Sequence, residues 1–171
     1  MTESKAFAIG IGSNLGDRHA QVEHGLQLLE ATAGIDWVRS GPRIETEPVL
    51  PPEAVGDQPR YLNTVAIGAT TLAPRPLLSR LLAIETQLGR RRRGGCDPRT
   101  LDLDLLVHET GPWQGPGIEI PHPRLGGRDF VLGPLGRLME LVRDDPTPEV
   151  TRVSTALESA FSPFLGMHGA S

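Results

Sequence analysis

Apolar positions along the chain follow two rhythms. Residues 6–12, Ala-Phe-Ala-Ile-Gly-Ile-Gly, are apolar almost throughout and predict a buried strand ending in glycines. Residues 61–71 predict another, and alternation puts Tyr61, Asn63, Val65, Ile67 and Ala69 on one of its faces. Between them, Val22, Leu26, Leu29 and Ala33 recur at helical spacing, with Asp17 as candidate N-cap and Gly34 as stop. Residues 35–46 predict a strand interrupted at Gly41-Pro42, and the proline-rich residues 47–59 a loop. A second helix starts near Pro74 or Pro76, carries its apolar stripe on Leu77, Leu81, Ile84 and Leu88, and ends at Gly89. A strand follows over residues 98–107.

The order β-α-β-β-α-β predicts an α+β class of fold with a ferredoxin-like arrangement, one antiparallel sheet with both helices on one face. Residues 109–127 read as a Gly/Pro-rich connection, and residues 130–142 as one or two short helices broken near Pro134. Residues 150–161 suit a further short C-terminal helix. No internal repeat is present.

Composition narrows the picture. A chain of 171 residues fits a single domain over residues 1–171 with a substantial core. The formal net charge of −4 gives no reason to expect nucleic acid as a partner. The sole cysteine, Cys96, excludes an internal disulfide and suits a reducing compartment. With no bilayer-length apolar run and no adequate signal-peptide core, the expectation is a cytoplasmic protein with no membrane partner.

The chemistry concentrates in Pro98-Arg99-Thr100-Leu101-Asp102-Leu103-Asp104-Leu105-Leu106-Val107. Asp102 and Asp104 share a strand face, anchored roughly 7 Å apart. Acids on such an apolar strand need a counter-charge, and a divalent cation is the expected one. Two carboxylates at this spacing can converge on ions roughly 3.5–4 Å apart, as in two-metal phosphoryl-transfer sites. The competing reading is the polar face of an edge strand, against which the leucines mark the strand as central. Arg90, Arg91, Arg92 and Arg93 form a basic run just upstream, suited to phosphate oxygens; alone it reads equally as a solvated charge run. Gly10-Ile11-Gly12-Ser13-Asn14-Leu15-Gly16 fits neither a Walker A nor a G-x-G-x-x-G motif and reads as a tight turn. Ile120-Pro121-His122-Pro123-Arg124 holds a histidine between two prolines. Arg128 and Phe130 follow, offering a phosphate contact and an aromatic surface.

Several segments together resemble the 6-hydroxymethyl-7,8-dihydropterin pyrophosphokinase family. They are AIGIGSNLGDR at 8–18, DQPRYLNTVAIGATTLAP at 57–74, IETQLGRRRR at 84–93, PRTLDLDLL at 98–106 and IPHPRLGGRDFVLGPL at 120–135. They cover roughly residues 6–140 and leave the tail at 145–171 outside the resemblance. The resemblance implies transfer of a pyrophosphoryl unit from ATP, as co-substrate, to the hydroxymethyl group of a reduced pterin in folate biosynthesis, with two Mg2+ ions. It implies that Asp102 and Asp104 bind metal and that Arg90 and Arg99 contact the transferring phosphates. Glu85, Arg92, Leu105, His122 and Arg128 would line the ATP site. Thr46, Val49, Tyr61, Asn63 and Phe130 would line the pterin pocket. Small-molecule partners and a monomer are expected.

Two features depart from the family pattern: Cys96-Asp97 stands where Trp-Gly is common, and Ile44 where a tyrosine is usual. Two alternatives stay open, the first motivated by Cys96-Asp97. One is a paralogue acting on a different pterin-like alcohol; the other is a non-catalytic ferredoxin-like binding module.

Overall fold

The computed structural model describes residues 3–50, 52, 56–90 and 98–165. β1 (Lys5–Ser13) leads to α1 (Arg18–Glu30), β2 (Ile35–Ser40), β3 (Ile44–Thr46) and β4 (Tyr61–Thr70). α2 (Pro74–Gln87), β5 (Asp102–His108), a hairpin of β6 (Trp113–Gly115) and β7 (Ile118–Ile120), α3 (Asp129–Arg143) and α4 (Pro148–Leu165) complete the order. A short 3-10 turn at Leu125–Gly127 precedes α3.

Local chemistry sets the helix ends. The Asp17 carboxylate accepts from Ala20 N at 3.0 Å, capping α1. Gly34 (φ 89°) and Gly89 (φ 81°) turn the chain out of the two helices, as expected. Pro74 opens α2, where its missing N–H costs little.

The five-stranded sheet is antiparallel and runs β2-β4-β1-β5, with β3 also on β4. The interruption expected at Gly41-Pro42 separates β2 from β3, and Gly41 lets α3 pass close: a Cβ there would meet Leu138 Cβ and the Pro134 carbonyl, both at 3.2 Å. Between β1 and β5 the register shifts, so that Ala8 faces Val107 and Ile9 faces Leu105. The bulged Leu106 joins Val107 in the core on the α3 side.

One face of the sheet packs Phe7, Ile9 and Ile11 against Val22, Leu26 and Leu29 of α1 and Leu77, Leu81 and Ile84 of α2. The opposite face packs Ala6, Ala8, Val65 and Ile67 against Leu135 and Leu138 of α3 and Val153, Leu157 and Phe161 of α4. Helices therefore lie on both faces, and the sequence reading of helices on one face holds only for α1 and α2. The C-terminal helices are also longer than expected, at 15 and 18 residues. α3 runs unbroken through Pro134, because its apolar stripe is bound to the sheet and tertiary packing outweighs one lost hydrogen bond. In α4 the carbonyl of Ser159, which Pro163 cannot serve, accepts from the Ser162 hydroxyl at 3.1 Å. The last strand starts at Asp102 rather than 98, and the expected connection at 109–127 contains the β6–β7 hairpin.

The α3 and α4 core covers Ala6, Ala8, Val65, Ile67, Ala69, Leu106 and Val107 but stops short of the other strand ends. There the sheet floor stays open, and the site lies in that gap.

Candidate active site

Two cross-strand rows make the floor. In one, β1 places Gly12 between Asn63 of β4 and Asp102 of β5. In the next, Gly10 stands between Val65 and Asp104. Neighbouring strands lie about 4.8 Å apart, so Asn63 and Asp102 are anchored about 10 Å from each other. No side chain stands between them, because the residue in the middle is glycine. The result is a pocket of about 530 Å³.

Its walls bring together nine of the residues singled out from sequence: Thr46, Val49, Tyr61, Asn63, Arg99, Asp102, Asp104, Arg128 and Phe130. Arg90 and His122 approach from behind, through the two aspartates. Arg90 Nη1 donates to Asp102 Oδ1 at 2.5 Å, and Arg99 Nη1 to Asp102 Oδ2 at 2.9 Å. Arg128 Nη1 donates to Asp104 Oδ2 at 2.5 Å, with His122 Nε2 at 4.0 Å. Arginines thus supply counter-charge to both aspartates, beside which the sequence reading also expects a divalent cation.

Glu85 and Leu105 stand off the pocket wall. Glu85 is 2% exposed, under the floor. Its Oε1 accepts from Leu103 N at 2.8 Å and pairs with Arg90 Nη1 at 2.5 Å. Leu103 sits between the two aspartates, so this one buried carboxylate fixes both the acidic strand and the nearest arginine. Leu105 packs on the α1 and α2 side of the sheet. Arg92 and the Cys96-Asp97 pair lie outside the described residues.

At the other end Asn63 Nδ2 donates to Thr46 Oγ1 at 2.7 Å. The Asn63 Oδ1 overhangs Gly12, since a Cβ on that glycine would stand 2.8 Å from it. The Arg128 guanidinium lies 5.7 Å from the Phe130 ring centroid, so one arginine spans from Asp104 to the aromatic wall. Val49 is 79% exposed, a side chain open to whatever enters.

Sequence reasoning missed two features. Gly10 and Gly12 read as the glycine end of a buried strand running into a tight turn, with no part given to the face they share, yet their i, i+2 spacing within an apolar strand carries the same one-face signal as the aspartates. Asn14 is 1% exposed and links three segments. Its Oδ1 accepts from Arg99 N at 2.8 Å, and its Nδ2 donates to the Pro59 carbonyl at 3.2 Å and to Gln58 Oε1 at 3.4 Å. No sequence spacing announces that role.

The acids hold their neighbouring arginine charged, while burial keeps the neighbouring histidine neutral. Burial works against the Arg99 charge, but Asp102, joined by Tyr61 and Asp104, outweighs it and holds its pKa above the ordinary value. Burial lowers the pKa of His122; Asp104 opposes this, while Arg128 and Arg124 reinforce it. His122 is therefore neutral at pH 7 and can donate one hydrogen bond to a phosphate oxygen.

The donor set suits magnesium. Two half-buried carboxylates face one pocket, and no cluster of three or more His, Cys, Asp or Glu side chains among the described residues makes a protein-only cage. Magnesium is held in this way, by one or two carboxylates with phosphate oxygens and water as the other ligands.

Comparison with known proteins agrees with this geometry. Residues 8–140 match the model of the 7,8-dihydro-6-hydroxymethylpterin-pyrophosphokinase family. The 2-amino-4-hydroxy-6-hydroxymethyldihydropteridine pyrophosphokinase of Bacillus subtilis is 34% identical over 143 residues, covering 84% of this chain and 83% of that protein. The protein of the same name from Pseudomonas aeruginosa is 38% identical over 130 residues, covering 76% of this chain and 78% of its own length. The mitochondrial folate synthesis bifunctional protein of Arabidopsis thaliana is 40% identical over 139 residues. There the match covers 81% of this chain but only 24% of the plant protein. The chain belongs to the 7,8-dihydro-6-hydroxymethylpterin-pyrophosphokinase family.

Proposed function

We propose that this chain transfers the terminal diphosphate of ATP to the hydroxymethyl oxygen of 6-hydroxymethyl-7,8-dihydropterin, giving AMP and the pterin diphosphate, a step of folate synthesis. One observation carries the reading: the glycine-floored row that puts Asn63 and Asp102 about 10 Å apart across one open pocket. That span accommodates a bicyclic ring held at the amide, with its hydroxymethyl arm reaching the phosphates.

In this reading Asn63 offers a donor and an acceptor to the ring edge, while Phe130 and Tyr61 flank the ring. Asp102 and Asp104 hold two Mg2+ ions, which, when bound, neutralise and align the phosphates. Arg90 and Arg99 are positioned to exchange their carboxylate partner for phosphate oxygens, and Arg128 and His122 do the same at Asp104. The pterin oxygen bonds to the β-phosphorus and loses its proton to solvent. The bond from that phosphorus to the α–β bridging oxygen breaks, and AMP leaves with the oxygen. No protein nucleophile takes part; positioning and charge stabilisation do the work. The sheet order, with β2 and β3 counted as one interrupted strand, supports a ferredoxin-like topology and one pyrophosphokinase domain.

A second reading rests on Ile44, which pairs with Asn63 in register at the ring end. It keeps the nucleotide apparatus and changes the pterin-like alcohol. The test is AMP release from ATP, Mg2+ and the pterin. Release that requires this pterin supports the proposal. Magnesium-dependent ATP binding without release supports the second reading, and no nucleotide binding by the folded protein defeats both.

A further inference from the structure

The motif around His122 leaves one cation without a part in the scheme above. Arg124 lines the pocket beside Asp104 and Arg128. Arg90, Arg99 and Arg128 are each engaged by an aspartate. The Arg124 side chain is exposed and makes no hydrogen bond or ion pair with any described residue. Its backbone, by contrast, is held. Arg124 N donates to His122 Nδ1 at 3.2 Å, and its carbonyl accepts from Gly127 N at 3.3 Å. The residue heads the 3-10 turn Leu125–Gly127, whose Leu125 is fully buried and anchors the turn to the core. Its charge is also near enough to act on His122.

A guanidinium with a fixed root and an uncommitted head, close to Arg128 and to His122, gains most from an anion entering between them. We infer that Arg124 is a phosphate-binding residue, taking oxygens of the nucleotide at the Asp104 end of the pocket. This rests on the ATP reading given above. It adds to that reading a second cation, beside Arg128 and the neutral His122, on the segment at 122–128, so that this single turn carries the phosphate contacts of the Asp104 side.

The test is the Kd of the magnesium complex of α,β-methylene ATP, measured calorimetrically without pterin, for the wild type, Arg124→Gln and Arg124→Lys. Loss of a charge-assisted hydrogen bond weakens binding about tenfold or more in Arg124→Gln. Arg124→Lys keeps the charge without the two-pronged geometry and recovers part of the loss. The salt dependence of Kd becomes shallower in Arg124→Gln, an effect that a merely structural role would not produce. Melting temperatures stay at the wild-type value, because the side chain has no partner among the described residues to lose. Arg124→Gln binding within about twofold of the wild type overturns the inference alone. So does an affinity loss that tracks a lowered melting temperature in both variants. Absence of analogue binding in the wild type overturns the nucleotide reading, and this inference with it.

Discussion

A methyl group at position 12 probes the glycine floor directly. In Gly12→Ala an ideal Cβ would stand 2.8 Å from Asn63 Oδ1 and 3.5 Å from Tyr61 Cδ1. Carbon–oxygen contacts start at about 3.3 Å, so the Asn63 amide must retreat by about 0.5 Å. It cannot do so without cost, because its Nδ2 is tied to Thr46 Oγ1 at 2.7 Å. The backbone at Gly12 has no positive φ, so alanine adds no strain of its own there. The price is one hydrogen bond between Asn63 and either Thr46 or the ring, about 1–3 kcal/mol. That converts to roughly a 5- to 150-fold fall in kcat/KM for the pterin. Asp102 is gripped by two arginines, so Kd for a magnesium-bound ATP analogue should stay within about twofold of wild type. The assay is steady-state AMP release with varied pterin, paired with analogue binding. Gly10→Ala is the control: its Cβ meets Leu106 Cδ2 at 3.7 Å and Asp104 Cβ and Val131 Cγ2 at 3.9 Å, all ordinary contacts, so a smaller loss is expected. Unchanged pterin kcat/KM in Gly12→Ala, or equal losses at both glycines, would refute the reasoning.

Other outcomes test other parts of the molecule. Asp102→Asn and Asp104→Asn should each lower turnover roughly a thousandfold or more while far-ultraviolet dichroism stays unchanged; near-normal turnover in either removes the metal-holding role. Glu85→Leu strands the Leu103 N–H and should cost about 1–3 kcal/mol in urea unfolding, whereas Glu85→Gln keeps that bond and should cost less; equal midpoints would show that the bond does not matter. His108 is 2% exposed, and burial lowers its pKa despite an Nε2 bond to the Leu72 carbonyl. The unfolded chain therefore takes up the proton first: stability is full above the unfolded pKa of about 6.5 and declines as pH falls through it toward the folded value. Urea midpoints from about pH 8 to pH 5 should fall more steeply for the wild type than for His108→Gln, and parallel profiles would count against this origin.

The legible parts of the sequence were those with a local cause. Val22, Leu26 and Leu29 repeat at helical spacing, and Asp17 caps the helix they form. The i, i+2 aspartates share a face by strand geometry alone. What escaped depends on distant partners. Pro134 argued for a break, but its helix is held by Leu135 and Leu138 against Val65 and Ile67, which no local rule contains. Residues 109–127 hid a hairpin because Ile118 and Ile120 bury only once the sheet exists. The same holds at the site. Glu85 is named by the resemblance as part of the ATP site, but its place under the floor, pinning Leu103 18 positions away, is set by the packing of α2 on the sheet. The tie from Asn14 to Arg99 spans 85 positions of chain, beyond the reach of any motif.

The most direct test follows the label. ATP carrying phosphorus-32 at the β position and, separately, at the γ position is turned over with magnesium and 6-hydroxymethyl-7,8-dihydropterin, and the nucleotide and pterin products are separated. Both labels should pass to the pterin, with one AMP formed for each pterin diphosphate. Transfer of the γ label alone with ADP as the nucleotide product, or release of both labels as free phosphate, would contradict diphosphate transfer at the Asp102 and Asp104 site.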